Sequence, residues 1–418
     1  MTPTPDWLGA EEALTRILGR CVPLPIETLD LVRDAEDLGS DRALASDVFA
    51  EVDHPPWDNS AMDGFAVRAE DVRSATSESP VVLPVSENVP AGTFPSSPLA
   101  RGSAVRVMTG APVPEGATGV IRIEHTDGGE RAVTVREASD AERNIRRRGE
   151  DLRRGDLVAA RGTAVTPAVV GCLAMQCARS VDVHRRPRIG VLANGDELAD
   201  FDEVDEVRAG RRIMNSNSHA LAAQVRAAGA LPIDLGIASD TAESVRAGLD
   251  RGTDCDGIIS SAGVSVGDHD QVKRALDEAG FERDFWRVRI RPGSPMTFGT
   301  LGGRPFWGLP GNPVSAMVTF EMFVRPALRR FAGHDVLQRR RLTAEAAEAI
   351  RSPGGLTHFY RVKLAYRGGN RPLASLTGPQ GSGILTSMIE ADGLAVLPED
   401  RREIPAGGSI EVILLGDA

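Results

Sequence analysis

Four short stretches of this chain carry residues that could do chemistry, and each follows an apolar run. Ile189–Ala193 leads into Asn194-Gly195-Asp196-Glu197, and Leu231–Ile237 ends at Ser239-Asp240. Gly257–Ser261 opens into SAGVSVGDHD, with Ser265, Asp268 and Asp270, and Pro305–Leu309 opens into PGNPVS. Glu197, Asp240, Asp268 and Asp270 are hard oxygen donors, a set that suits magnesium held by one or two carboxylates together with substrate phosphates. Gly263, Gly267, Gly311 and the helix start near Ser315 offer backbone N–H groups to an oxyanion, and Arg291 in RPGSP adds a cation. Carboxylates alone repel a phosphate; with a metal and N–H donors they can align one for attack.

The elements that must position these loops follow from the same region. Apolar runs between Arg188 and Arg330 alternate with helical stretches at Ser218–Ala228, Ala242–Asp250, Gln271–Ala279 and Ser315–Phe331, and Trp286–Ile290 reads as a further strand. That alternation predicts a central three-layer α/β domain with a mostly parallel sheet, in which ligands gather beyond the carboxyl ends of the strands. Upstream, Ala10, Ala13, Leu14, Ile17 and Leu18 form a helical face, and Leu29–Leu44 also reads as helix. The prolines and turn residues of VDHPPWDNSAMDG mark a loop, and short runs such as Ala104–Met108, Val120–Ile123 and Ala132–Val135 predict a small β-rich module. Arg146, Arg147, Arg148, Arg153 and Arg154 fall within NIRRRGEDLRRGD, which reads as a solvated linker, a partner surface or an anion-collecting patch. Strand-like pieces at Phe359–Tyr366, Leu394–Leu397 and Ile410–Leu415 close the molecule with a small β domain.

Composition excludes several alternatives. Over 418 residues the 48 Lys and Arg are outweighed by 59 Asp and Glu, a net charge of −11, and aromatics make up only 4%. A general grip on nucleic acid is therefore not expected. No run approaches the roughly 20 apolar residues of a membrane helix, so no membrane association is expected. The four cysteines (Cys21, Cys172, Cys177, Cys255) show no C-x-x-C spacing, and the start of the chain lacks an apolar signal core. These features point to the reducing cytoplasm. The seven histidines show no ligand spacing, so zinc is not expected, and neither a P-loop nor a G-x-S-x-G elbow is present.

PPWDNSAMDGFAV, MTGAPVPEGATGVIRIE, RRRGEDL, NGDEL, SSAGVSVGDHD and GLPGNPVSAMVTFEMFV resemble, in order and spacing, the MoeA/gephyrin family of molybdopterin molybdenumtransferases from about Asp6 onward. The resemblance implies an α/β multidomain protein with four domains. These are an elongated helical or linker domain (6–45 with 146–186), an inserted β-rich domain (46–145), a MogA-like molybdopterin-binding α/β domain (187–333) and a small C-terminal β-barrel-like domain (334–418). The implied activity is insertion of molybdate into adenylylated molybdopterin, with magnesium-dependent release of AMP. Asp270 matches the acid needed for that hydrolysis and, with Glu197, the implied magnesium ligands. Ser265 lies in the same loop, and Asp240 is a further acid of the cleft. Asp58, Thr109 and Asp151 match family positions in or beside the second domain, which in the family leans over the partner subunit's cleft and so implies a homodimer. Gly263, Gly267, Asp268, Pro310, Gly311, Asn312 and Pro313 correspond to the molybdopterin side. Arg291, Ser294, Pro295, Ser315, Arg361 and Ser387 correspond to the molybdate pocket, where Arg and hydroxyl donors suit a tetrahedral dianion.

Two positions depart from the family pattern. K-P-G-K-P is usual where this chain has Arg291-Pro292-Gly293-Ser294-Pro295, and Ser-Thr is usual in place of Ala193-Asn194. Losing one charge-assisted hydrogen bond at Ser294 would weaken oxyanion binding by about 1.5–3 kcal/mol. The alternatives to the transferase are a diverged paralogue that handles tungstate or only binds the pterin, and a noncatalytic scaffold. A separate molybdopterin adenylyltransferase is a candidate partner, with the arginine run as its surface.

Overall fold

The structure is a computed structural model, and it describes residues 7–262, 271–366, 368 and 371–416. The chain divides into two compact units, one of residues 1–46, 161–170 and 179–418, the other of residues 47–160 and 171–178.

The first unit is built around a six-stranded sheet. Its elements in chain order are β1 (Arg188–Asn194), α1 (Ser216–Ala227), β2 (Leu231–Ala238), α2 (Ala242–Asp250), β3 (Gly257–Ser261), α3 (Gln271–Glu278), β4 (Phe281–Phe285), β5 (Thr297–Leu301), β6 (Arg304–Leu309) and α4 (Pro313–Thr319). The strand order is β2-β1-β3-β6-β5-β4; the first four are parallel, and β5 and β4 run antiparallel at the edge. Successive residues of the buried strands serve opposite faces, as the twofold period of a strand requires. Ile259 and Trp307 join one core with Leu221 and Val225 of α1, while Ile258 and Phe306 join the other with Leu249 of α2 and Leu276 of α3. Burying one such aliphatic or phenyl side chain contributes about 1.5–3 kcal/mol, so the sheet is fixed from both sides. The three-layer α/β expectation is met.

Three local expectations are corrected. Trp286–Ile290 is not a strand of this sheet. Arg287–Val288 pairs in parallel with Trp7–Leu8, and Ile290–Arg291 pairs in parallel with Thr357–His358. Leu29–Leu44 is not one helix: Ile26–Asp30 is a strand antiparallel to Ser180–His184, followed by a four-residue helix, Ala35–Leu38. Asp30 breaks the helical reading because its carboxylate accepts the Val32 and Arg33 N–H groups and turns the chain. Finally, Ser315–Phe331 is interrupted by a π-helical stretch, Phe320–Val324, between α4 and Arg325–Phe331. The predicted N-terminal helix is present as Ala10–Gly19, with Ala13 and Ile17 buried.

Downstream, five strands close on themselves in the order Thr357–Ala365, Leu373–Leu376, Arg341–Ala346, Ser409–Leu414 and Gly393–Leu397, which pairs back onto Thr357–Ala365. Val362, Ala374, Ala395 and Val412 fill this small barrel, and closure leaves its strands without a free edge.

The second unit holds a five-stranded sheet, Gly119–Arg122, Gly64–Val67, Ala104–Val107, Val81–Val89 and Ala132–Val135 in spatial order. Phe65 and Val67 serve one core and Ala66 the other. The predicted β-rich module is thus present.

Candidate functional site

At the carboxyl end of β1 the chain turns sharply through Gly195. Its φ is +146°, and a Cβ there would stand 2.3 Å from Glu197 Oε2, so glycine lets the carboxylate fold back over the turn. The neighbouring acids are tied across two strand ends: the Asp240 N–H donates to Asp196 Oδ1 (3.2 Å) and the Asp196 N–H faces Asp240 Oδ2 (3.5 Å). Asp240 does not cap α2; Thr241 does, accepting the Ser244 N–H. Asn194 is buried and holds the strand ends together through Nδ2 to Ser260 Oγ at 2.6 Å.

Glu197 lines a cavity of about 610 Å³ together with Asn215, Ala262, Pro310, Gly311, Asn312 and Pro313. Asn217 Nδ2 donates to the Gly311 carbonyl (2.7 Å) and fixes the PGNP turn, while Asn312 and Pro313 begin α4. Gly263, Ser265, Gly267, Asp268 and Asp270 lie outside the described residues. Among the described residues no three acidic, His or Cys side chains group closely enough to hold a metal.

A second cavity, of about 830 Å³, shares Pro295, Pro310 and Asn312 with the first. Arg291, Ser294, Ser315 and Arg361 also line it, as does Trp7. Arg361 is 1% exposed and donates from Nε to Ser387 Oγ (3.1 Å) and from Nη2 to the Gly381 carbonyl (3.0 Å). Neither Arg361 nor Arg291 forms an ion pair among the described residues. Burial alone lowers the Arg361 pKa, but a guanidinium remains charged at neutral pH. A buried cation without an acid is costly, and an anion in the adjoining cavity would offset that cost. Ser387 does not line the cavity; it stands behind Arg361 and orients it. Gly293 sets the shape of the RPGSP turn: its φ is +106°, and a Cβ would stand 2.4 Å from Thr319 Cγ2.

In the second unit, the predicted residues separate. Asp58 accepts Arg147 Nη1 (2.6 Å) and the Arg148 N–H (2.8 Å), and Asp53 accepts Arg148 Nε (2.6 Å). Burial raises the Asp58 pKa, but the Arg148 N–H and the Arg147 guanidinium outweigh it and hold the carboxyl below its usual range. The arginine run is therefore folded into a turn, with Arg146, Arg147, Arg148, Arg153 and Arg154 all exposed. Thr109 gives both its N–H and its hydroxyl to Asp63, each at 2.7 Å. Asp151 instead lines a cavity of about 640 Å³ with Trp57, Asn59, Arg146 and Glu150. Asn59 Oδ1 is buried there without a partner among the described residues, a position no sequence signal singled out.

A three-layer α/β domain whose strand-end cleft, lined by Glu197 and the PGNP turn, shares wall residues with a pocket lined by Arg291 and Arg361 is the frame of the site. Comparison with known proteins narrows the class. Residues 8–177 match the MoeA N-terminal region (domain I and II), residues 190–330 a probable molybdopterin binding domain, and residues 343–415 the MoeA C-terminal region (domain IV). Molybdopterin molybdenumtransferase 2 of Mycobacterium tuberculosis is 41% identical over 375 residues, 88% of this chain and 91% of that protein. Molybdopterin molybdenumtransferase of Bacillus subtilis is 34% identical over 379 residues, 90% and 87% of the two chains. The crystal structure of the molybdopterin biosynthesis MoeA protein from Pyrococcus horikoshii OT3 matches with a TM-score of 0.82 at 28% identity, covering 98% of this chain and 100% of that one. The chain belongs to the MoeA family of molybdopterin molybdenumtransferases, transferases of molybdenum-cofactor biosynthesis. No described helix is long and apolar enough to cross a membrane.

Proposed function

We propose that this chain inserts molybdate into the dithiolene of adenylylated molybdopterin and releases AMP in a magnesium-dependent step. The observation that carries the reading is Arg361, a buried guanidinium with no acid partner among the described residues, on the wall of a cavity that adjoins the Glu197 cleft. Arg361 and Arg291 bind the molybdate dianion, and Ser315, whose hydroxyl makes no hydrogen bond among the described residues, donates to it. The PGNP turn and the Glu197 cleft take the pterin-linked diphosphate. The shared wall of Pro295, Pro310 and Asn312 then keeps the two reactants side by side, so that their meeting becomes an intramolecular event.

Glu197 and Asp270 would hold magnesium. The donor chemistry fits: Glu197 faces the cavity without an ion pair, beside the Asp196–Asp240 couple, and magnesium takes one or two carboxylates and leaves its other positions to phosphate and water. When bound, the ion neutralises charge developing on the phosphate oxygens. Asp58, held ionised by the Arg147 guanidinium and the Arg148 N–H, orients Arg147 and fixes the turn, whereas Asp151 faces a cavity where a ligand can reach it. The reading includes a homodimer in solution. It also includes docking of a separate adenylyltransferase at the arginines of the run that Asp53 and Asp58 leave free.

Purified protein given adenylylated molybdopterin, molybdate and magnesium is expected to release AMP, followed by nucleotide chromatography. No release under any divalent metal would overturn the reading. Asp270→Asn is expected to suppress release while leaving molybdate binding, measured by calorimetry, largely intact.

A further inference from the structure

Trp7 belongs to none of the motifs, yet it stands at the mouth of the basic cavity. Its backbone pairs in parallel with Arg287, and Leu8 beside it is fully buried in the main core. Arg289 Nη1 donates to the Trp7 carbonyl (2.9 Å) while its Nε binds Glu399 (2.9 Å). The Arg287 guanidinium lies over the indole, 5.9 Å from the ring centroid. Backbone, carbonyl and ring face are thus all held, and the ring's one polar atom, Nε1, donates to Ser294 Oγ at 3.2 Å.

The direction of that bond decides the chemistry. An indole N–H can only donate, so Ser294 Oγ must be the acceptor, and the hydroxyl proton remains to be used elsewhere. No acceptor for it exists among the described residues, and Ser294 lines the cavity that Arg361 faces. The serine backbone is fixed as well: its carbonyl accepts the Val288 and Met296 N–H groups at 3.1 and 2.9 Å. We infer that Trp7 is a positioning residue of the oxyanion pocket. Its indole N–H occupies the acceptor side of Ser294 Oγ and leaves the serine proton for the bound anion, a neutral donor where the family pattern has a lysine. The inference rests on the oxyanion reading given above.

The test is a double-mutant cycle on the whole chain with sodium molybdate as probe, read by calorimetry. Trp7→Phe keeps the ring but loses the N–H, and Ser294→Ala loses the hydroxyl. Each is expected to weaken binding about tenfold, and the double variant no more than either single one. Ser294→Thr, which keeps the hydroxyl, is expected to stay near wild type and to remain sensitive to Trp7→Phe. Molybdate is also expected to change the wild-type tryptophan emission, a response absent from Trp7→Phe. Wild-type affinity in Trp7→Phe, or additive losses in the cycle, would overturn the inference while leaving the pocket intact. If the wild-type chain binds neither molybdate nor tungstate, the oxyanion reading falls, and Trp7 falls with it.

Discussion

Two arginines in the first unit are equally buried, each 1% exposed, yet their surroundings are opposite. Arg42 is paired with Glu27 and, at 2.8 Å, with Asp37, and it also donates to the His184 carbonyl. Arg361 has a serine and a backbone carbonyl for company and faces a cavity. Burying a guanidinium costs the same solvation in both places. At Arg42 the fold supplies the compensating charge; at Arg361 it supplies none among the described residues, and the proposed oxyanion would bring it. Burial alone therefore says nothing about function. The identity of the missing partner does.

The comparison can be broken most directly at Arg361. Arg361→Met is expected to weaken molybdate binding by about 1.5–3 kcal/mol, one to two decades in affinity, by calorimetry. The ligand-free protein should keep its thermal stability, because an unpaired buried charge has been replaced by an apolar side chain of similar length. Arg42→Met should do the reverse: about 1–3 kcal/mol is lost in denaturant unfolding, because Glu27 loses its cation and Asp37 keeps only Arg186, at 3.6 Å, while molybdate affinity stays unchanged. A drop in stability at both sites with binding preserved at both would show that Arg361 is structural too.

A third buried arginine sharpens the contrast through pH. Arg329 pairs with Asp41 and contacts His334 Nδ1 at 3.0 Å. Burial, then the charge of Arg329, depresses the His334 pKa from 6.5 to about 4. The unfolded chain takes up a proton below pH 6.5 that the folded chain refuses until about pH 4. Stability should therefore fall across that window and level off beneath it, and His334→Asn should flatten that limb of a melting-temperature profile. A profile unaltered by the substitution would mean that His334 does not titrate in this way.

Much of this architecture is legible in the sequence because it is local. The runs Gly257–Ser261 and Ala242–Asp250 announce themselves by apolar pattern, and the Gly and Asp residues after each strand mark the cleft edge. What escaped depends on distant partners. Trp286–Ile290 alternates like one strand, but its halves pair with segments 280 residues before and 67 after. Phe281–Phe285, with Glu282, Arg283 and Asp284 inside it, hides an antiparallel edge strand whose Glu282 and Arg283 face solvent while Asp284 pairs with Arg16 at 3.1 Å. The resemblance points to Arg361 and Ser387, yet that one stands behind the other is a matter of tertiary packing. Trp7 carried no signal at all, since a single tryptophan ahead of a helix fits countless surfaces.

The closed barrel has a consequence for how the protein is made. Arg361 sits on Thr357–Ala365, which is hydrogen-bonded to Gly393–Leu397, itself held by Ser409–Leu414, while Trp7 reaches the same pocket from the other side of the chain. The cavity lined by Arg361 therefore cannot be complete on a nascent polypeptide before residues 409–414 have been synthesised, even when the α/β layers are in place. The proposed oxyanion binding would therefore wait for the Ser409–Leu414 strand to fold, and a chain cut short before Ser409 is expected to bind no molybdate.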